Sequence, residues 1–485
     1  MSSQQRRSRA CNECRRRKVR CPGHQPCHRC EKQGLPCTYQ NALTAAASRS
    51  RLGAAARGTR IASSREPSQE KPSTSTSQSP TLFPPVLRSS SLGASEFSVP
   101  LEPEAFNSMI LEFMDYMYPV CPILEEDELR ANIRQMHVDN DAAALVYAFS
   151  GMGFFIRQLS KPWQPDCYRQ TAEMVALALD HHRPLRFGSE PKLNRIIGCI
   201  FIQMCLLVTR RLDMAFFYLR EAISLMLMRS LDDFLGEREV NPLERGHRER
   251  IYWVCFIHER VLALEGSTTV CLDPLPSLPD VADAAQDSVE RGFNHIIETY
   301  AVVDKDFVRF WTGDRSLMTA KWIQAKHEQL AGPSGELEIT MLLPIQQVDL
   351  IISRQWLRTV TWQMAMSKML LSSQTGQPEG LSLFMPLRLS KQLKVCLAAL
   401  SHHSIAVYNV GLVPKLFEIT TTVADLVLAL PPRDCAEEIR SRIQDLLLTK
   451  QFLLGLVHVK PNNRKILQEK MGDIINRLYG DSRLA

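Results

Sequence analysis

Beyond residue 100, apolar residues recur at spacings of three and four, the signature of helices with one face turned to a core. Phe106, Ile110, Phe113, Met114 and Met117 form one such face and predict a helix over 104–118. The same period predicts helices over 142–159, 168–179, 193–208, 214–228, 248–264, 350–370, 393–407 and 437–457. Pro162, Pro184, Pro242, Pro274 and Pro432 punctuate them, and alternating strand patterns are scarce. The expectation is a large all-α domain over 101–485, with one or two helical layers around a single large core. No repeated phrase of 20–50 residues suggests a solenoid.

Residues 41–100 break the pattern. They hold 14 Ser, 5 Thr and 6 Pro, with Phe83 and Phe97 as their only aromatics. Such a stretch cannot bury enough apolar surface to offset the entropy of ordering, which predicts a flexible, disordered linker. Residues 1–40 form a third kind of sequence, dense in Cys and Arg.

Charge sharpens that division. Residues 1–65 carry 15 Lys and Arg against Glu13 and Glu31, while the chain's net charge is only +6, so the remainder is acidic. A basic head on an acidic body points to a polyanionic partner for the head alone. The polar, basic start at Met1–Arg9 does not read as a signal peptide. The most apolar run, 196–208, is 13 residues long, against about 20 for a bilayer span. No membrane partner is expected, and the compartment is expected to be reducing.

In a reducing cell, six cysteines within 27 residues read as metal ligands rather than disulfides. The other eight, from Cys121 to Cys435, sit among apolar neighbours and are expected in the core. Cys11, Cys14, Cys21, Cys27, Cys30 and Cys37 follow C-x2-C-x6-C-x5-C-x2-C-x6-C, one phrase written twice around the loop 22–26. Zinc takes four tetrahedral ligands and thiolates suit it. Six thiolates serve two ions only if two of the six bridge. The alternatives are a disulfide knot, or a catalytic zinc or iron–sulfur site, whose spacings this run does not fit. His24 and His28 lie within the module but are not needed as ligands.

The block resembles the fungal binuclear zinc-cluster DNA-binding domain, through Cys-Asn-Glu-Cys-Arg-Arg-Arg-Lys-Val-Arg-Cys, Pro26 before Cys27, and the ending Cys37-Thr38-Tyr39. The resemblance implies two Zn2+ ions as cofactors in a closed structural site. It also implies that Cys11 and Cys27 bridge, that Cys14 and Cys21 complete one site, and that Cys30 and Cys37 complete the other. The module is expected to be stabilised by zinc, with two short metal-bound helices, because so short a domain has almost no apolar core.

Between Cys14 and Cys21, five of six residues are cationic: Arg15, Arg16, Arg17, Lys18 and Arg20. Held at both ends by metal, they would project into the major groove of double-stranded DNA, where Lys or Arg bonds guanine O6 and N7. The resemblance places the specific base contact on Lys18 and implies a CGG half-site. Arg17 is a neighbour at the base edges, and Arg15 and Arg20 are assigned to phosphates. The plainer reading of this run is a nuclear-import signal or a solvated basic face. Family members often dimerise through a coiled coil after the cluster, but Leu43, Leu52 and Ile61 are nine apart and do not make heptads. Monomer and dimer both stay open.

The body has a weaker likeness to the regulatory helical region of such regulators, in the phrase 118–124 and in Arg250-Ile251-Tyr252-Trp253 through His258-Glu259-Arg260. It departs from them with Glu259 where aspartate is common, and with Ser267-Thr268 for Arg-Pro. No Gly-rich phosphate loop, nucleophile elbow or H-E-x-x-H motif suggests an enzyme. The adjacent pairs His181–His182 and His402–His403 read as surface or helix-end residues. The patch 232–235 reads as a helix end before it reads as a contact for transcription machinery. The sequence thus describes a nuclear, sequence-specific transcription regulator, which the resemblance implies is an activator, with transcription machinery or a small-molecule effector as further partners. The alternative is a zinc-stabilised scaffold that docks on nucleic acid without reading it.

Overall fold

The apolar periodicity becomes helix almost throughout. The computed structural model describes residues 11, 14, 21, 26–33, 37, 102–158, 168–228, 230–236, 241–279, 287–331, 339–373, 378–399, 409–429, 443–444, 446–447, 449–451, 453–454 and 461–479. They belong to two units, Met1–Ser90 and Ser91–Ala485. The expected linker, 41–100, lies outside the described residues. Among the described residues there is no strand beyond a single bridge between Ser372 and Ser382.

In the first unit, α1 (His28–Lys32) starts at Cys27, whose carbonyl accepts from the Glu31 amide. The second unit begins with α2 (Pro103–Asn107) and α3 (Ile110–Tyr116). The periodicity predicts one helix here. The chain breaks at Ser108–Met109, where Asn107 Nδ2 and Ser108 Oγ bond back to the carbonyls of Pro103 and Ala105. Phe106, Ile110 and Phe113 are still buried as the pattern requires. Next come α4 (Glu126–Gln135), α5 (Asn140–Gln158), α6 (Arg169–His181), α7 (Leu193–Val208) and α8 (Leu212–Met226). Helix α7 packs against both α5 and α8. It is buried on nearly all sides, which is why its sequence is apolar around the whole circumference.

Ser230 caps the short α9 (Leu231–Leu235) by accepting from the Asp233 amide, so the 232–235 patch is a helix start with its acids at the favourable end. The long α10 (Pro242–Gly266) has Asn241 as N-cap and Pro242 in its first turn, and ends at Ser267 in a left-handed conformation. It leads into α11 (Asp287–Ala301), α12 (Lys305–Thr312) and α13 (Ala320–Ala331). Helix α14 (Pro344–Ser367) lies among α11, α13, α15 (Met385–Ala399) and α16 (Asn409–Ala429), with α17 (Pro461–Tyr479) against α16.

One large core runs from Phe106 to Leu467. The sequence predicts a single core, but a second and smaller one gathers Trp362, Met385, Leu387, Val423, Val427, Leu446 and Ile474. Helices α14, α15 and α16 contribute side chains to both. No described helix is long and apolar enough to cross a membrane.

Gly292 shows how closely α11 and α14 approach. A Cβ there would overlap the side chain of Gln346. That fully buried amide donates to the carbonyls of Pro119 and Val289, at 2.7 and 2.8 Å, so it has no empty direction in which to move. Gly292→Ala is expected to destabilise the body by about 1–3 kcal/mol through overpacking, read as a lowered denaturation midpoint. A substitution at Gly411, where an added Cβ meets nothing, provides the neutral control.

Candidate metal centre and nucleic-acid interface

The thiols of Cys11, Cys14, Cys27 and Cys30 converge, with sulfurs all within 4.8 Å of one another and the residues buried. Cys11 Sγ lies 3.7 Å from both Cys27 Sγ and Cys30 Sγ, and Cys14 Sγ lies 3.6 Å from Cys27 Sγ. These separations are too long for disulfides. Zn–S bonds of about 2.3 Å at tetrahedral angles place neighbouring sulfurs about 3.8 Å apart, which the cluster matches.

Cys21 and Cys37 stand at the edges of this group, each held by the amide of the first cysteine of its own half. The Cys11 amide donates to Cys21 Sγ at 3.5 Å, and the Cys27 amide donates to Cys37 Sγ at 3.1 Å. Both contacts span ten residues. The duplicated C-x2-C-x6-C phrase is therefore duplicated in space as well. Cys21 lies near Cys14, and Cys37 near Cys11 and Cys27.

The electrostatics of bare thiols explain why a cation belongs here. Burial, with hydrogen bonds to Cys11 and Cys27, pushes the Cys14 thiol up to about 12. Burial pushes Cys27 upward as well, but hydrogen bonds from the Cys30 amide and the neighbouring thiols outweigh it and hold Cys27 near 6. Crowded sulfurs cannot all be thiolates unless positive charge lies among them, which two zinc ions supply. The exposed His28 on α1 is not among the converging ligands. His24 lies outside the described residues.

The cationic residues Arg15, Arg16, Arg17, Lys18 and Arg20 also lie outside the described residues. Their place in the chain is fixed between Cys14 and Cys21, two residues of the centre.

In the body, Cys121, Cys199, Cys205 and Cys255 are buried, as expected. Cys271 is exposed and corrects that expectation: it follows the end of α10 in a surface loop and accepts from Arg220 Nη1 at 2.6 Å. Cys167, Cys396 and Cys435 lie outside the described side chains, as do His402 and His403. His182 is less peripheral than its helix-end position suggests. Its Nε2 lies 2.7 Å from Glu221 Oε1 and 3.9 Å from Cys199 Sγ. Those three could ligate metal, but the Arg195 guanidinium sits 3.3 Å from both His182 Nε2 and Glu221 Oε1 and supplies the cation itself.

The comparisons agree with the geometry. Residues 9–46 match the family model described as the fungal Zn(2)-Cys(6) binuclear cluster domain. The N-terminal module belongs to that family, carries two zinc ions, and places the chain in the class of DNA-binding transcription regulators. Among known proteins, the chain is similar to the maltose fermentation regulatory protein MAL33 of Saccharomyces cerevisiae, with 20% identity over 73% of this chain and 72% of that one. A second maltose fermentation regulatory protein of that yeast, MAL13, is 20% identical over 86% of this chain and 84% of its own. The probable sucrose utilization protein SUC1 of Candida albicans is 21% identical over 65% of this chain, which spans 63% of that protein's length. The likeness thus extends well past the zinc module into the helical body. No solved structure matches the chain.

Proposed function

We propose that this protein is a nuclear, sequence-specific regulator of RNA polymerase II transcription, an activator of a metabolic gene set, that reads CGG-type half-sites in the major groove. The observation that carries this reading is the convergence of buried cysteine sulfurs at zinc-ligand distances on both sides of the basic run. Cys11 and Cys27 bridge the two ions. Cys14 and Cys21 complete one site, and Cys30 and Cys37 the other. The sulfur contacts support this division, because the pair Cys11–Cys27 touches both Cys14 and Cys30.

On this frame Lys18 makes the specific base contact with Arg17 beside it, while Arg15 and Arg20 hold phosphates. The relatives are named for maltose fermentation and sucrose utilisation, which favours genes of carbon-source use as targets. The protein acts by binding rather than catalysis, with transcription machinery as the further partner.

The test is selection from a randomised duplex pool by the zinc-loaded full chain. Enrichment of a CGG-containing site is expected, and the number of half-sites recovered distinguishes monomer from dimer. Recovery of no sequence would leave the module as a nonspecific docking device. With the selected duplex in hand, Lys18→Ala is expected to reduce discrimination against a scrambled duplex by about 1–3 kcal/mol. Arg20→Ala should weaken binding to both duplexes alike and lower the salt slope by about 0.9, the contribution of one phosphate. Reversed effects in a filter-binding titration would sink the assignment.

A further inference from the structure

Four helices of the body bring one set of metal-ligating side chains together. His182 caps the end of α6, Arg195 and Cys199 lie a turn apart on α7, and Glu221 lies on α8. Asp141 reaches the group from the first turn of α5. A nitrogen of His182, the Cys199 sulfur and a Glu221 oxygen all lie within 4.8 Å of one another. Cys199 is fully buried, while the side chains of His182 and Glu221 are 9% and 23% exposed.

Arg195 supplies positive charge here, but its fit is poor. Its Nη2 stands 3.3 Å from both His182 Nε2 and Glu221 Oε1, and its Nη1 stands 3.4 Å from Asp141 Oδ1. All three contacts are near the outer limit of a hydrogen bond, and the buried Nε has no partner. Burial pushes the Glu221 carboxyl up, but the hydrogen bond from His182 and the charge of Arg195 outweigh it and hold the group below its ordinary range. Glu221 is therefore an acceptor only, so its 2.7 Å bond to His182 needs the proton on Nε2. The Arg195 Nη2 then meets an N–H there instead of a lone pair. One guanidinium also faces two carboxylates, Glu221 and Asp141.

The donor set selects the ligand. An imidazole nitrogen, a thiolate and a carboxylate oxygen suit a tetrahedral zinc ion whose fourth position is open to water. A thiolate disfavours Mg2+ and Ca2+, which take oxygen ligands. Zinc bonds at tetrahedral angles hold nitrogen and oxygen about 3.3 Å apart, and nitrogen and sulfur about 3.6 Å apart. The present separations are 2.7 and 3.9 Å, so small side-chain shifts centre the donors on an ion. Binding sends the Cys199 thiol proton to solvent and leaves the imidazole proton on Nδ1, with the Nε2 lone pair on the metal. The two anionic ligands balance the divalent charge, and Arg195 keeps Asp141 as its partner. The partly exposed Glu221 gives the ion a way in from solvent.

We propose that His182, Cys199 and Glu221 form a further zinc-class site, in the helical body, which a thiophilic divalent ion fills by displacing Arg195 from Glu221. The bound ion clips the end of α6 to α7 and α8. The proposal concerns the body and does not depend on which DNA sequence the zinc module reads.

The experiment is elemental analysis of the full chain after dialysis against a slight excess of Zn2+. Three zinc ions per chain are expected, one more than the two of the N-terminal cluster. His182→Gln and Cys199→Ala should each hold two, and should lose the rise in melting temperature that the added ion gives the parent. A parent chain that stops at two ions would overturn the proposal. So would a third ion retained in either variant, which would mark adventitious surface binding. Titration of Co2+ into the zinc-loaded parent gives a reading independent of variant folding. The visible bands of a tetrahedral site with a thiolate ligand are expected, and their absence would overturn the assignment. Arg195→Met removes the competing cation and should bind the added ion more tightly; weaker binding would overturn the displacement.

Discussion

Cys27→Ala is expected to empty the module of both zinc ions and abolish selective duplex binding, while the helical content of the body stays unchanged. The reason lies in how much of the centre passes through this residue. Its sulfur is 3.7 Å from Cys11 Sγ and 3.6 Å from Cys14 Sγ, its amide holds Cys37 Sγ, and its carbonyl accepts the first bond of α1. Removing it disturbs both halves together. A structural zinc site contributes on the order of 10–16 kcal/mol to folding, and a module this small has no apolar core to replace that. Cys21→Ala touches the edge of one half and should lose less metal. Elemental analysis per chain decides: a Cys27→Ala protein with as much zinc as Cys21→Ala would refute the bridging role.

The second large effect belongs to the body. Glu259→Ala should destabilise it by about 3–5 kcal/mol, the cost of leaving a buried charge without its counterpart. Glu259 is fully buried on α10, and its two oxygens accept from the amides of Cys271 and Leu272, at 2.8 and 3.0 Å. It also pairs with Arg260 at 2.9 Å and Arg220 at 2.8 Å. Arg260 in turn donates to the carbonyls of Leu272 and Val303 and lies 3.3 Å over the Phe256 ring. Burial pulls its guanidinium down to about 10 despite the Glu259 charge. The group ties the end of α10 to the loop that follows and to the end of α11. Truncation would strand the Arg260 guanidinium and the Leu272 amide in the interior. Glu259→Gln keeps the shape and part of the bonding, and should lose less. Chemical denaturation of the three proteins orders them, and equal midpoints would show the pair to be dispensable.

How much of this was legible depended on whether local pattern and tertiary role agreed. Helix α7 was legible to the residue, because the mostly apolar run 196–208 behind Leu193 has one use in a helical protein. Helix α4 was not. It opens on Glu126, Asp127 and Glu128, and its burial rests on few residues, chiefly Leu129 and Ile133. Helix α16 was hidden by Pro414, which normally argues against a helix interior. The metal centre was legible because its ligands are close in sequence and their spacing is the chemistry. The burial of Glu259 and Arg260 was not legible, since nothing local says that both sides of α10 are covered.

The sharing of α14, α15 and α16 between two cores has a consequence for any attempt to cut the body into parts. The C-terminal bundle has no inner wall of its own, because the helices that would form it are already committed to the larger core. It is therefore not a unit that a truncation can remove cleanly. Any boundary drawn through it cuts a helix embedded on both sides, so removing the bundle would expose apolar surface of the larger core.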